Sequence, residues 1–237
     1  KIAADNLKKI GVEGLVVIGG DGSFTGAKLL SDEQGINVVG IPGTIDNDLA
    51  YTDYTLGFDT AVNTVLWAIN ALRDTMTSHD RVSLVKVMGR RCGDIALYAG
   101  ICGGAEYILV PEVPYDIQKI ANEIKHNREN GKTANVIVLA EGAGNENEIK
   151  TIVSVISGTD VKVTTLGHIQ RGGSPSMADR MLAAKFGVHA VNLLMEGKTN
   201  RVIGCHGQQT IDLDISEALA MKKDIDRDLY DMAAKLC

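Results

Sequence analysis

Aromatic residues are scarce in this chain: one Trp, three Phe and six Tyr make up 4% of its 237 residues. That argues against the base-stacking platforms of single-strand binders. Positive charge is not in excess either. Lys plus Arg is 24 and Asp plus Glu is 30, a net charge of -6 and a pI near 5.4, whereas a general nucleic-acid binder is expected to be basic. No apolar run approaches the roughly 18 residues of a membrane helix. No charged segment leads into an apolar stretch as a secretion signal does. Cys92, Cys102, Cys205 and Cys237 fit neither a CxxC metal knuckle nor a disulfide scaffold, so a reducing cytoplasm is the simplest compartment. Only four prolines occur, which excludes a proline-rich disordered chain. What is plentiful is glycine: 26 residues, about 11% against an average near 7%. Much of it ends apolar runs, where the backbone of α/β proteins meets ligand. A 45% hydrophobic composition supports a substantial core, in one large domain or two smaller ones.

Short β-branched runs alternate with helical patterns. The runs Leu15–Ile18, Val38–Ile41, Val82–Val87, Tyr107–Val110, Val136–Leu139 and Val163–Leu166 are apolar on both faces, as central parallel strands are. Helices are predicted over Ile2–Ile10, Thr25–Leu30, Asp59–Met76, Asp94–Ile101, Ile117–Asn130, Ala178–Met195 and Ile225–Leu236. This order reads as an α/β fold with a largely parallel sheet and helices on both faces. Segments 142–147 and 204–209 read as loops. Trp67 is expected in the core and the cysteines as packing residues. His79, His126, His189 and His206 read as surface or satisfied polar groups. The chain opens inside a helix, with no strand before it.

Four strand ends carry chemistry. After Val17-Ile18 come Gly19-Gly20-Asp21-Gly22-Ser23. Glycines let the backbone approach phosphate oxygens, the helix that follows favours anions, and Asp21 suits Mg²⁺. The segment lacks the Lys of a Walker A loop, and Thr25 stands where a G-x-G-x-x-G fingerprint needs its third Gly. The plain alternative is a strand-to-helix turn with an Asp cap. Pro42-Gly43-Thr44-Ile45-Asp46-Asn47-Asp48 offers two acids that can divide proton transfer from water or metal orientation, or else an Asp/Asn-rich turn. Val87-Met88-Gly89-Arg90-Arg91 offers a bidentate phosphate ligand or a surface Arg pair. Leu166 to Pro175 joins His168, Arg171 and a glycine pair. Four strand ends with Gly plus charge are hard to explain as coincidence.

Taken in this order and spacing, Gly19–Ser23, Pro42–Asp48, Met88–Arg90 and Leu166–Pro175 resemble the signature segments of the bacterial-type phosphofructokinase family, and the resemblance runs from Lys1 to Cys237. It implies transfer of the ATP γ-phosphate to the 1-hydroxyl of fructose 6-phosphate, with Mg²⁺. It implies two three-layer α/β/α sandwich domains: residues 1–56 and 169–219 on the ATP side, and 57–168 and 220–237 on the fructose 6-phosphate and effector side. Asp46 matches the proton acceptor, Asp21 the Mg²⁺ acid, and Gly20, Gly22 and Ser23 further ATP contacts. Thr44, Ile45 and Asp48 share the catalytic loop. Met88, Gly89, Arg90, Glu141, His168, Ile169, Gln170 and Arg171 match sugar-phosphate contacts, Arg90 and Arg171 with catalytic roles. Arg81 matches an arginine that reaches the 6-phosphate in a neighbouring subunit. Its companion, usually Arg, is Lys162 here, which keeps the charge and loses the fork; weaker phosphate binding is expected there.

Relatives that use pyrophosphate tend to carry Asp at the position of Gly22 and Lys at that of Gly43, so glycine at both resembles the ATP-dependent branch. Arg73, Gly104, Ala105, Glu106, Lys132, Thr133 and Ala134 match an effector site for ADP or phosphoenolpyruvate, with Asn130 where the family has a basic residue. A cytoplasmic homotetramer is implied. The family has several tens of residues before the position of Lys1, so the chain resembles an incomplete copy. A half-built ATP site and a first sheet with exposed apolar edges are therefore expected. A pyrophosphate-dependent enzyme and a non-catalytic regulatory subunit are the alternatives.

Overall fold

A computed structural model of the chain describes residues 1–76, 81–131 and 134–236. Its contacts divide the chain into two compact units, 1–59 with 175–223 and 60–174 with 224–237. The chain crosses at 59–60, 174–175 and 223–224, where the sequence reading has 56–57, 168–169 and 219–220. Ile169, Gln170 and Arg171 therefore join His168 in the second unit.

The first unit holds a sheet in the order β1 (Gly14–Gly19), β2 (Asn37–Pro42), β7 (Arg201–His206), β8 (Gln209–Asp214). The first three strands are parallel; β8 returns antiparallel to β7. Alternation along β2 sorts the core. Val38 packs with Phe24, Val202 and Ile215, on the side of α2 (Asp21–Gln34) and α8 (Ile215–Ala220). Val39 and Ile41 pack with Phe186, Ala190 and Ile203, on the side of α7 (Met177–Met195). The unit opens with α1 (Ile2–Lys9). β1 is an edge strand among the described residues, and its Ile18 is 65% exposed. The expectation that β1 is buried on both faces does not hold.

The second unit holds a fully parallel sheet ordered β4 (Tyr107–Leu109), β5 (Asn135–Ala140), β3 (Val82–Val87), β6 (Val161–Thr165). Leu84, Ile137 and Leu139 pack against Ile124 of α5 (Ile117–Glu129) and against Ile149 and Val153 of α6 (Glu146–Ser157). Helix α4 (Asp94–Cys102) packs on β4 and β5, and α9 (Arg227–Leu236) packs on α4. Helix α3 (Phe58–Met76) begins at the unit boundary.

Local chemistry sets the helix ends. Asp116, Asn145, Ser176 and Asp214 each accept backbone N–H bonds as N-caps of α5, α6, α7 and α8, a role suited to short polar side chains. Gly35 and Gly158 end α2 and α6 in the left-handed conformation, which glycine adopts without steric cost.

Several readings need correction. Helix α2 starts at Asp21, not Thr25, so Asp21 to Ser23 form its first turn. Helix α6 was not expected; its acidic start resembles loop chemistry, and only the buried spacing of Ile149, Val153 and Ser157 reveals it. Segment 204–209 is largely the β7–β8 hairpin, turning at Gly207 with φ of 57°, and α8 follows it. Trp67 is 70% exposed rather than in the core. Cys92 and Cys205 are buried, but Cys102 is exposed. His79 and Cys237 lie outside the described residues.

Candidate functional site

In the first unit the end of β1 meets the start of α2. Gly20 is the N-cap and carries no capping side chain, and Asp21, Gly22 and Ser23 follow. The first N–H groups of a helix lack intrahelical acceptors and carry its positive dipole end, so they favour anions. The Ser23 hydroxyl lies over Gly19, where a Cβ would stand 2.3 Å from it; Gly22 has open space around it. Backbone therefore lines this cradle.

The segment after β2 is tied down from several sides. Gly43 N–H donates to Gly19 O at 2.9 Å, which sets the second segment beside the first. A Cβ on Gly43 would lie 2.7 Å from Ile18 Cγ2, and one on Gly20 3.9 Å from Thr44 Cβ. Asp46 N–H donates to Thr44 Oγ1 at 3.2 Å, and Asp46 is 4% exposed. Asn47, with φ of 53°, accepts from Thr55 N–H at 3.0 Å and donates to Asp53 O at 3.1 Å. Gly57 N–H donates to the buried Asp179 at 2.8 Å. Asn47, Thr55 and Asp179 hold the loop and were not singled out in the sequence. The signal available was an Asn inside an acid-rich turn; Asp179 lies far away in the chain and gave none.

In the second unit three adjacent strands, β5, β3 and β6, deliver residues to one edge. Glu141 follows β5, and its N–H donates to Val87 O at 2.9 Å. Arg90 follows β3 in the left-handed region, φ 54°, and its N–H donates to Glu141 Oε1 at 2.8 Å. A left-handed non-glycine residue costs about 1–2 kcal/mol, so this bond helps to fix it. Gly89 has φ of 130°, and a Cβ there would stand 2.3 Å from Cys92 O. A Cβ on Gly142 would stand 2.1 Å from Arg90 O. Gln170, 1% exposed, accepts from Met88 N–H at 3.1 Å and donates to Gly167 O at 2.8 Å. It ties the β3 end to the 3-10 turn over Gly167–Arg171 that follows β6. Met88 is buried, whereas Arg90, His168, Ile169 and Arg171 are exposed at this edge.

Arg81 and Lys162 stand elsewhere. Arg81 precedes β3, and Lys162 pairs with Ser83 near the start of β6. At about 3.3 Å per residue, the six-residue β3 separates them from Arg90 by roughly 17–20 Å. Asp160 lies against both, 3.0 Å from Lys162 Nζ and 3.6 Å from Arg81 Nε.

In the same unit Arg73 donates to Gly104 O and lies 4.0 Å from Glu106. Glu106 accepts from Val136 N–H at 2.7 Å. Ala105 is buried and Ala134 half-buried. Lys132 and Thr133 lie outside the described residues.

A family model described as phosphofructokinase matches residues 1–194. The chain is 58% identical over 236 residues to the ATP-dependent 6-phosphofructokinase of Clostridium tetani (strain Massachusetts / E88), covering 100% of this chain and 74% of that protein. It is 57% identical to the protein of the same name from Clostridium botulinum (strain Loch Maree / Type A3), covering 99% of this chain and 73% of that one. Among solved structures, phosphofructokinase from Saccharomyces cerevisiae superposes with a TM-score of 0.83 at 34% identity, over 92% of this chain and 33% of that chain. A pyrophosphate-dependent phosphofructokinase from Marinobacter aquaeolei superposes at 0.82 with 23% identity, over 98% and 69%; that likeness speaks for the fold alone.

Proposed function

The chain belongs to the phosphofructokinase family, and from that premise we propose that it transfers the γ-phosphoryl group of ATP to the 1-hydroxyl of fructose 6-phosphate, giving fructose 1,6-bisphosphate and ADP. The observation that carries this reading is the buried Asp46, on a loop held by Thr44, Asn47 and Thr55 beside the glycine-lined start of α2. Phosphoryl transfer asks little covalent chemistry of the protein. It needs positioning, charge stabilisation and one proton acceptor. Asp46 takes the proton of the 1-hydroxyl as that oxygen bonds to the γ-phosphorus. The bond to the β,γ-bridging oxygen breaks, and ADP leaves with its electron pair. Gly20, Gly22 and Ser23 line the phosphates with backbone, while Thr44 and Asp48 shape the loop around the acceptor.

Among the described residues no three His, Cys, Asp or Glu side chains gather as a metal cage. Asp21 in the first turn of α2 fits Mg²⁺, which keeps waters and takes one or two carboxylates together with phosphate oxygens. Bound there, Mg²⁺ neutralises part of the triphosphate charge. The donor assignment is supported by Gly22, by Gly43, whose space is filled by Ile18, and by relatives named ATP-dependent at 57–58% identity.

In the second unit Arg90, Glu141, His168 and Arg171 bind the sugar phosphate, and Gln170 positions the loops that carry them. Arg81 and Lys162 serve a substrate held by a neighbouring copy; their place at the other end of the sheet supports this. A homotetramer in the cytoplasm, with ADP or phosphoenolpyruvate acting near Arg73 and Glu106, completes the reading. No helix among the described residues is long and apolar enough to cross a membrane.

The test is a coupled turnover assay with fructose 6-phosphate and Mg²⁺, run with ATP and with pyrophosphate in parallel. Turnover with ATP in excess of pyrophosphate is expected. A preference for pyrophosphate overturns the donor assignment, and no fructose 6-phosphate binding at all overturns the substrate.

A further inference from the structure

Among the described residues, Asp160 lies against Arg81 and Lys162 at the N-terminal end of the second sheet. β3 and β6 run parallel with Val82 beside Val161, so Arg81 and Asp160, one residue earlier on each strand, meet at the strand entry. Val82 N–H donates to Asp160 O at 3.1 Å, which fixes Asp160 by its backbone. Its carboxylate oxygen Oδ2 lies 3.0 Å from Lys162 Nζ and 3.6 Å from Arg81 Nε. Asp160 and Lys162 are exposed and Arg81 is about two-fifths exposed, so an incoming anion can reach all three.

We propose that Asp160 is a resident counter-anion that competes with the phosphate group of a sugar phosphate for Arg81 and Lys162, and so sets the affinity of that pair. The inference rests on the reading of Arg81 and Lys162 as phosphate ligands. A carboxylate and a phosphate oxygen seek the same N–H donors. While Asp160 is seated, the pair presents one net positive charge instead of two, and the Lys162 ammonium has one donor engaged. A dianionic phosphate displaces the carboxylate into water at modest cost, because exposed ion pairs of this kind are weak. The hydrogen bond from Lys162, with the charges of Lys162, Arg81 and Lys150, holds the Asp160 carboxyl below the usual carboxylate range, so it stays an anion wherever the substrate phosphate is one. Because Lys162 is a point charge without a fork, it cannot hold a phosphate through two parallel bonds and attracts it mainly by charge, part of which the seated carboxylate cancels.

The test measures binding of fructose 6-phosphate and of inorganic phosphate by calorimetry on the full chain, at low ionic strength. Asp160→Asn is compared with Asp160→Ser, with Asp160→Glu and with Glu146→Gln. The last removes the same charge from the same unit but frees Lys86, its 2.8 Å partner. Releasing two exposed pairs sets the expected gain at about three- to tenfold tighter binding for Asp160→Asn and Asp160→Ser. Asp160→Glu and Glu146→Gln should stay near the parent. Fructose without phosphate should show no gain, which a general structural effect would not predict. Equal gains from Glu146→Gln overturn the proposal in favour of a bulk charge effect. If Arg81→Gln and Lys162→Gln weaken binding while Asp160→Asn leaves it unchanged, Asp160 is no competitor and the ligand reading stands. If Arg81→Gln and Lys162→Gln leave binding unchanged, the ligand reading itself falls, and this proposal with it.

Discussion

Gly142→Ala tests how the second unit positions Arg90. The substitution adds one methyl group at a residue that faces backbone. That methyl would stand 2.1 Å from Arg90 O, 3.3 Å from Arg90 C and 3.4 Å from Pro111 Cγ. Ordinary contact is near 3.5 Å, so the Arg90 carbonyl must retreat by about 1.4 Å. It cannot do so freely, because Arg90 N–H is bonded to Glu141 and Cys92 N–H is bonded to Gly89 O. Overpacking of this kind costs about 1–3 kcal/mol, which in a chain of this length lowers Tm by roughly 2–12 °C. The functional effect should be larger than the stability effect. A hydrogen bond to a charged group contributes about 1.5–3 kcal/mol, so if Arg90 binds the sugar phosphate as proposed and the shift loses one such bond, affinity for fructose 6-phosphate should fall by about 10- to 100-fold at temperatures where the variant is fully folded. Calorimetry with the sugar phosphate and a thermal melt together read both effects. A variant with lowered Tm and parent-like affinity would refute the claim that Gly142 sets the Arg90 position.

Three further outcomes are expected. Asp46→Asn keeps shape and removes the proposed proton acceptor, so turnover should drop by about 10²–10⁴-fold with fructose 6-phosphate binding retained; parent-like turnover would assign the proton elsewhere. Gly22→Asp meets open space, so the fold should tolerate it within about 0.5 kcal/mol while ATP use falls relative to pyrophosphate, read by competing donors in one assay. Tyr51 is 3% exposed, and its hydroxyl is buried without a hydrogen-bond partner among the described residues; Tyr51→Phe should therefore gain about 1 kcal/mol in a denaturant titration. Burial, and then the charge of Asp21, push the Tyr51 hydroxyl pKa up from its usual 10.0. The folded state thus favours the protonated form. That stability is full below pH 10 and is lost as pH rises above it, so the parent should destabilise more steeply than the variant in this alkaline range.

The strands were legible because their apolar runs are short, β-branched and closed by glycine. Val82–Val87 has the same bounds in sequence and structure. Helix α6 was less legible, since Glu146, Asn147 and Glu148 read as loop until Asn145 is seen capping them. The β7–β8 hairpin was obscured by Gly204 and by the short alternation of Gln209–Asp214. Trp67 misled because its neighbours along α3 are apolar, and the helical period alone does not say which stripe faces a sheet.

By itself the sequence marked the segments proposed to carry chemistry. Gly19–Ser23, Pro42–Asp48, Met88–Arg90 and Leu166–Pro175 are contiguous, and local backbone freedom with local charge is enough to mark them. Tertiary structure alone decided what each segment leans on. Asp179 reaches Gly57 across 122 positions of sequence, Gln170 reaches Met88 across 82, and Asp160 lies between Arg81 and Lys162 because two strands run parallel. Such partners are set by strand order and register, which arise from burying whole faces of a sheet. No local stretch of sequence contains that information.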